Sequence, residues 1–187
     1  MSKFVFVSSC GVYNEILDNT ALDERHPTIP YSHYGAVKSA IDNFVYSYSK
    51  TSELSITSIR PCAIYSSTGE IKKHRWYQVL ANVKAGKDVK VKKGSKFVHV
   101  DDVAKSILLL IQSENTNGAI YNCYDQYIDD YKVATLAKKL IASDSKIIGD
   151  STKPKNQIIC NKIKELGMQF GGESLLEETI KSLISRI

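Results

Sequence analysis

A chain of 187 residues with 43% hydrophobic and 24% charged residues is long enough to bury a core and lies outside the compositions of disordered or fibrous proteins. The net charge of +5 rests on 21 Lys and 4 Arg against 20 acidic residues, an Arg-poor balance that argues only weakly for phosphate or nucleic-acid recognition. No apolar run approaches the roughly 18 residues of a membrane span, no secretion signal opens the chain, and Cys10, Cys62, Cys123 and Cys160 form no CxxC pair. The expectation is a soluble cytoplasmic protein with no metal site, disulfide framework, nucleic-acid partner or membrane partner.

Phe4 to Val7, rich in β-branched and aromatic residues, predicts a buried strand ending in the small-residue turn Ser8-Ser9-Cys10-Gly11. Residues 14–30 are polar, contain Pro27 and Pro30, and read as a surface loop. Tyr34, Val37, Ile41, Phe44, Val45 and Tyr48 recur at helical spacing and predict one long amphipathic helix between Ser32 and Ser52. Leu54 to Ile59 alternates apolar and polar residues up to Arg60-Pro61, where proline stops the strand. Strand, long helix, strand is the unit of a parallel sheet.

Beyond this unit, Trp76, Val79, Leu80 and Val83 mark a helix closed by Gly86. Short strands are expected at Val89 to Val91 and Phe97 to Val100, the Lys-rich stretch Lys84 to Lys96 reading as a solvated hairpin. Asp101 or Asp102 caps a helix running to Ile111, and a strand at Ala119 to Asn122 and a helix from Tyr131 to Ile141 come next. The tail holds a helical turn ending at Leu166-Gly167, then Ser174-Leu-Leu-Glu177, a capping box that opens the final helix. His26, His33, His74 and His99 lack ligand spacing and read as structural or exposed.

The residues best suited to chemistry are Tyr34 and Lys38, one turn apart on one helix face. A cation beside a phenol favours the ionised form, which brings a tyrosine nearer to acid–base work at neutral pH. The spacing alone decides nothing, because 11 Tyr and 21 Lys give about one chance match, and Tyr46 with Lys50 supplies a second pair deep in the same helix. Context favours Tyr34: it opens the helix, where a side chain can face the crevice at the carboxyl ends of the strands, and Ser9 ends the preceding strand.

A serine after a strand, a polar proline-containing loop and then Tyr-x-x-x-Lys, followed by Arg60-Pro61, Phe97-Val-His-Val-Asp101-Asp102 and the Leu166-Gly167 tail, resembles extended short-chain dehydrogenase/reductases, the NAD(P)-dependent epimerase/dehydratase family. The resemblance implies an α/β fold: a partial Rossmann-like parallel sheet carrying its last strands, with a small α+β carboxyl-terminal substrate region. The expected division is a catalytic half over residues 1–66 and a mixed region over residues 67–187.

By the same resemblance the chain is an oxidoreductase acting on a hydroxyl or carbonyl of a sugar-like substrate. Tyr34 would exchange the proton, Lys38 would hold the nicotinamide ribose, and Ser9 would orient the substrate oxygen, with Cys10 and Gly11 beside it. Ser8, Tyr34, Lys38, Pro61 and Ala63 would line the site of an NAD or NADP cofactor. Ala63 and Ser95 stand where nucleotide-sugar enzymes of the family carry Asn and Arg.

The ten glycines form no GxGxxG turn, so the pyrophosphate-binding half is expected to lie outside this chain, which would be inactive without it. The strand at Phe4 to Val7 would then present an open edge to that amino-terminal half, and the Tyr34 helix offers a surface for a homo-oligomer. The alternative function is a non-catalytic binding or scaffold module derived from the family.

Overall fold

The computed structural model describes residues 2–187 and divides into two compact units. The chain leaves the first unit after Ile64 and returns to it over residues 100–124 and 156–170.

The first unit is built on β1 (Lys3–Val7), α1 (His33–Thr51) and β2 (Ser55–Pro61), as the alternation of patterns predicts. A third strand, β6 (Ile120–Cys123), completes a parallel sheet of order β1-β2-β6. Lys3 to Val7 pair in register with Ser55 to Ile59, and Ser58 to Pro61 pair with Ile120 to Cys123. Each residue of the central strand β2 is buried, so its sequence alternation does not mark a solvent face. Its polar side chains are satisfied internally: Thr57 Oγ1 donates to Thr116 O at 2.7 Å, and Ser58 and Arg60 both donate to Asp42.

The two outer strands differ in how their edges are treated. Glu24 accepts the Asn122 amide at 2.7 Å and Lys162 donates to Ile120 O at 2.8 Å, so charged side chains occupy polar groups of β6. Among the described residues β1 pairs with β2 alone, and Phe4 and Val7 are exposed. Helices α3 (Val100–Gln112) and α5 (Asn161–Glu165) also belong to this unit. Val100 already opens α3, so Asp101 and Asp102 lie in its first turn and do not precede it as caps.

Helix α1 has the expected length, and Ser32 Oγ caps it by accepting the Gly35 amide at 3.1 Å. Its inward face is not the expected one. Gly35, Ser39, Asp42 and Val45 are buried, whereas Tyr34, Val37, Phe44 and Tyr48 are 54–60% exposed. Periodicity located the helix, but small and polar residues were needed where α1 lies close to the end of β1, and the aromatic side chains were turned outward.

The second unit begins at Tyr65, the last residue of β3 (Ala63–Tyr65), whose ring meets Trp76, Phe97 and His99 with centroids 5.0–6.0 Å apart. Three helices, α2 (Tyr77–Lys84), α4 (Asp130–Ile141) and α6 (Gly172–Ser185), pack together around Leu80, Val83, Ala137, Ile180 and Leu183. Strand β4 (Val89–Lys90) pairs with β8 (Ile147–Ile148), and β5 (Ser95–His99) runs antiparallel to β7 (Gln126–Ile128). The Lys-rich stretch is therefore not a hairpin, because its two strands take distant partners. The capping box at Ser174 is not formed either: α6 begins two residues earlier, after Gly171, with Gly172 at φ 56°.

Candidate active site

The carboxyl end of β1 runs into a single 3-10 turn over residues 10–12, with Ser9 as its N-cap. Ser9 Oγ accepts the Gly11 amide at 3.0 Å. Because that bond uses an oxygen lone pair, the Ser9 hydroxyl proton stays available to donate.

Gly11 brings Ser9 and Tyr34 together. A Cβ at position 11 would lie 3.2 Å from Ser9 Oγ and 3.7 Å from Tyr34 Cε1, so the hydroxyl and the phenol ring flank the same small space. Gly35 makes this approach possible, since a Cβ there would sit 2.5 Å from Gly11 O and 2.8 Å from Pro30 Cβ. The first turn of α1 lies against the backbone of the Ser9 turn, at a distance that excludes any larger residue.

Lys38 Nζ donates to Val7 O at 2.8 Å, 4.8 Å from the Phe6 ring centroid and 5.7 Å from that of Tyr34. One ammonium proton is thereby engaged and two remain uncommitted. The competing pair is also adjacent, Lys50 lying 5.3 Å from the Tyr46 ring, but it stands at the far end of α1, three turns away from the Ser9 turn.

The other expected residues divide by where their side chains go. Pro61 ends β2, and Ala63, half-buried, opens β3 just beyond it; between them the Cys62 amide donates to Cys123 O at 3.0 Å and fixes this segment to β6. Ser8 is buried, with its hydroxyl on Asp42 Oδ2 at 3.0 Å. Cys10 turns its thiol to Arg60 O at 3.0 Å, so its side chain serves the sheet interior.

The four cysteines, scattered in sequence, meet at the carboxyl ends of the strands. Extending the β1–β2 register places Cys10 beside Cys62, and Cys62 is bonded through its backbone to Cys123. Burial, with Cys62 as neighbour, pushes the Cys10 thiol well up, and burial does the same for Cys160, which feels Cys10 and Cys123. Raised in this way, the Cys10 and Cys160 thiols are poor nucleophiles.

Beneath the turn lies a network that the sequence analysis did not single out. Asp42 and Arg60, 2% and 3% exposed, form an ion pair with Nε and Oδ2 2.8 Å apart. Asp42 also accepts from Ser8 and Ser58, while Arg60 Nη1 donates to the Tyr13 hydroxyl, which donates to Asn122 Oδ1 at 3.0 Å. Burial pushes the Tyr13 phenol up, with Arg60 opposing. Burial disfavours the Arg60 charge, but Tyr13 and Asp42 together outweigh it and push the guanidinium up. Of the histidines, His26 serves structure: it donates from Nδ1 to Pro27 O and accepts the Leu17 amide at Nε2, whereas His33 is exposed.

Comparison with known proteins places the chain in a family. The sequence profile of the NAD dependent epimerase/dehydratase family matches residues 1–123. N-acetyl-alpha-D-glucosaminyl-diphospho-ditrans,octacis-undecaprenol 4-epimerase of Escherichia coli O157:H7 is 28% identical over 131 residues, covering 67% of this chain and 38% of that protein.

Among solved structures, UDP-N-acetylglucosamine 4-epimerase from Methanobrevibacter ruminantium, in complex with UDP-N-acetylmuramic acid, superposes with a TM-score of 0.76 at 17% identity over 100% of this chain and 64% of that one. UDP-glucose 4-epimerase of Thermus thermophilus, in complex with NAD, gives 0.71 at 20% identity over 100% and 65%. These likenesses show a shared Rossmann-like α/β fold, of which this chain spans about two thirds of the solved structures' length and 38% of the curated epimerase. The chain belongs to the NAD dependent epimerase/dehydratase family.

Proposed function

We propose that this chain carries the proton-transfer side of an NAD(P)-dependent oxidoreductase acting on a hydroxyl or carbonyl of a sugar-like substrate. The observation that supports this reading most is the shared space beside Gly11, flanked by Ser9 Oγ and the Tyr34 ring. A substrate oxygen there is within reach of a hydroxyl that can donate and a phenol that can exchange a proton.

The residues present suit a nicotinamide cofactor: Lys38 has two uncommitted N–H groups next to an exposed tyrosine at the carboxyl end of β1, where open α/β sheets bind nucleotides. When bound, NAD(P) supplies the hydride acceptor or donor. Tyr34 moves the proton at the substrate oxygen, Ser9 orients that oxygen, and Lys38 holds the ribose. Pro61 and Ala63 line the nicotinamide side, and Gly11 leaves room for the substrate. The sugar-nucleotide ligands of the solved relatives support the substrate class.

Replacing Tyr34 by phenylalanine tests this reading, in the chain supplemented with an amino-terminal dinucleotide-binding segment. Turnover is expected to fall by about 10²–10⁴-fold, the usual contribution of one general acid–base group. The thermal midpoint should not move, because the ring is 59% exposed and its hydroxyl supports no packing. Retained turnover would exclude the role.

Two surfaces suit partners. The open edge of β1 is where strands of a dinucleotide-binding segment would add to the sheet. On α1, Val37, Ile41, Phe44 and Tyr48 follow the alternating four- and three-residue spacing of a helix-pairing seam, with Val37 58% and Phe44 60% exposed. A second copy of the chain is the proposed occupant. Val37→Glu should convert the assembly to monomer in light scattering without loss of helicity; an unchanged mass would exclude α1 as the interface.

A further inference from the structure

The turn that carries Ser9 is too short to hold its own shape. It consists of one 3-10 turn closed by Val12 N–Ser9 O at 3.4 Å, Tyr13 N–Cys10 O at 3.1 Å and the Ser9 cap. Bonds of this geometry are poor, and such turns depend on what flanks them. Here both flanking residues lead to one carboxylate. Ser8, immediately before the turn, donates to Asp42 Oδ2, and Tyr13, immediately after it, accepts from Arg60, whose Nε donates to the same Oδ2.

Asp42 in turn belongs to α1, two helical turns after Tyr34 and one after Lys38, on the face that meets β1. The contacts along this face all fall between Val7 and Gly11: Gly35 against Gly11 O, Lys38 on Val7 O, and Asp42 on Ser8. Ser58 Oγ, donating to Asp42 Oδ1, fixes the carboxylate to the central strand.

We infer that Asp42, with Arg60 and Tyr13, is a positioning clamp that closes both ends of the Ser9 turn onto the helix bearing Tyr34 and so sets the separation of the two reacting side chains. Stability alone is a weak reason for such a network, since well-packed apolar residues commonly replace a buried ion pair at no cost. A fixed geometry is a sufficient one, because small displacements of reacting groups carry large penalties in rate. The functional half of the inference rests on the proton-transfer reading of Tyr34; the structural half does not.

Amide hydrogen exchange on the folded chain separates the two. Tyr13→Phe removes one hydroxyl and keeps the ring, and Ser8→Ala releases the other end of the turn. Each is expected to speed exchange at Gly11, Val12 and position 13 by about tenfold or more, the loss of one hydrogen bond in a charged network, while Val45 in α1 and Ile59 in β2 keep their protection. Exchange unchanged at the turn, or raised equally throughout the unit, would overturn the clamp.

The double substitution Asp42→Leu with Arg60→Met supplies a second test. It should cost less stability than Asp42→Ala, because no charge is left stranded and only the Ser8 and Ser58 hydroxyls lose their acceptor, yet speed exchange at the turn, and a turn that stays protected would also overturn the proposal. In the assembled, NAD(P)-binding form, Tyr13→Phe should lower kcat with KM for substrate unchanged. If Tyr34→Phe leaves turnover intact while these exchange changes appear, the proton-transfer reading fails and the clamp stands.

Discussion

Asp42→Ala should destabilise the first unit by about 3–5 kcal/mol, the loss expected when one member of a buried ion pair is removed and the other charge is stranded. The stranded group is Arg60, 3% exposed, whose remaining partner is the Tyr13 hydroxyl. Two serine hydroxyls, on Ser8 and Ser58, lose their acceptor in the same step. A loss of this size is a large share of the whole stability of a domain, so the variant should unfold at much lower urea or fail to accumulate. Asp42→Asn keeps an acceptor oxygen and should fall between the two. Urea titration followed by far-UV circular dichroism measures the difference, and a loss below about 1 kcal/mol would show that Asp42 and Arg60 do not depend on each other.

Gly35→Ala carries the second large effect, and here two terms compete. In a free helix the exchange would stabilise by roughly 0.5–1 kcal/mol, because glycine has more freedom to lose. Against this, the new methyl would lie 2.5 Å from the Gly11 carbonyl oxygen and 2.8 Å from Pro30 Cβ. The nearest obstacle is backbone and cannot rotate away. Overpacking of this kind costs about 1–3 kcal/mol, so the net expectation is destabilisation together with a wider gap between α1 and the Ser9 turn. Thermal denaturation gives the sign, and a stabilised variant would contradict the close approach. Turnover should fall more than stability alone explains, because Tyr34 moves with the first turn of α1.

The sequence revealed the order of elements because strands and helices have different periods: the strand at Phe4 to Val7, the helix after Ser32 and the strand before Pro61 all form, although β1, expected to be buried, has no buried residue. The inward face of α1 was not legible. Hydrophobic periodicity assigns Val37, Phe44 and Tyr48 to a core, but the structure buries Gly35, Ser39 and Asp42, since close approach to β1 and a polar anchor outweighed apolar area at that contact. The lysine-rich stretch misled for another reason: β4 and β5 are neighbours in sequence, yet their partners β8 and β7 lie far along the chain, and no local signal encodes such pairing.

At the site, Ser9, Tyr34 and Lys38 were readable from order and spacing. The Asp42–Arg60–Tyr13 network was not, because its members are 18 and 47 residues apart and only the fold brings them together. One signal was present in retrospect: Asp42 continues the Tyr34, Lys38 series at four-residue steps, which places a carboxylate on the same helix face. The convergence of Cys10, Cys62 and Cys123 was hidden for the same reason: Cys123 ends β6, Cys62 follows β2 and Cys10 lies three residues past β1, all in one sheet.

The claim that Tyr34, and not the equally spaced Tyr46, moves the proton is tested most directly by a single-turnover experiment. The chain, completed by a dinucleotide-binding segment and loaded with oxidised cofactor, is mixed with saturating substrate, and reduction of the nicotinamide is followed by absorbance in the parent, in Tyr34→Phe and in Tyr46→Phe. The account predicts a rate about 10²–10⁴-fold lower for Tyr34→Phe and an unchanged rate for Tyr46→Phe. Equal rates for the parent and Tyr34→Phe, or a loss confined to Tyr46→Phe, would contradict it.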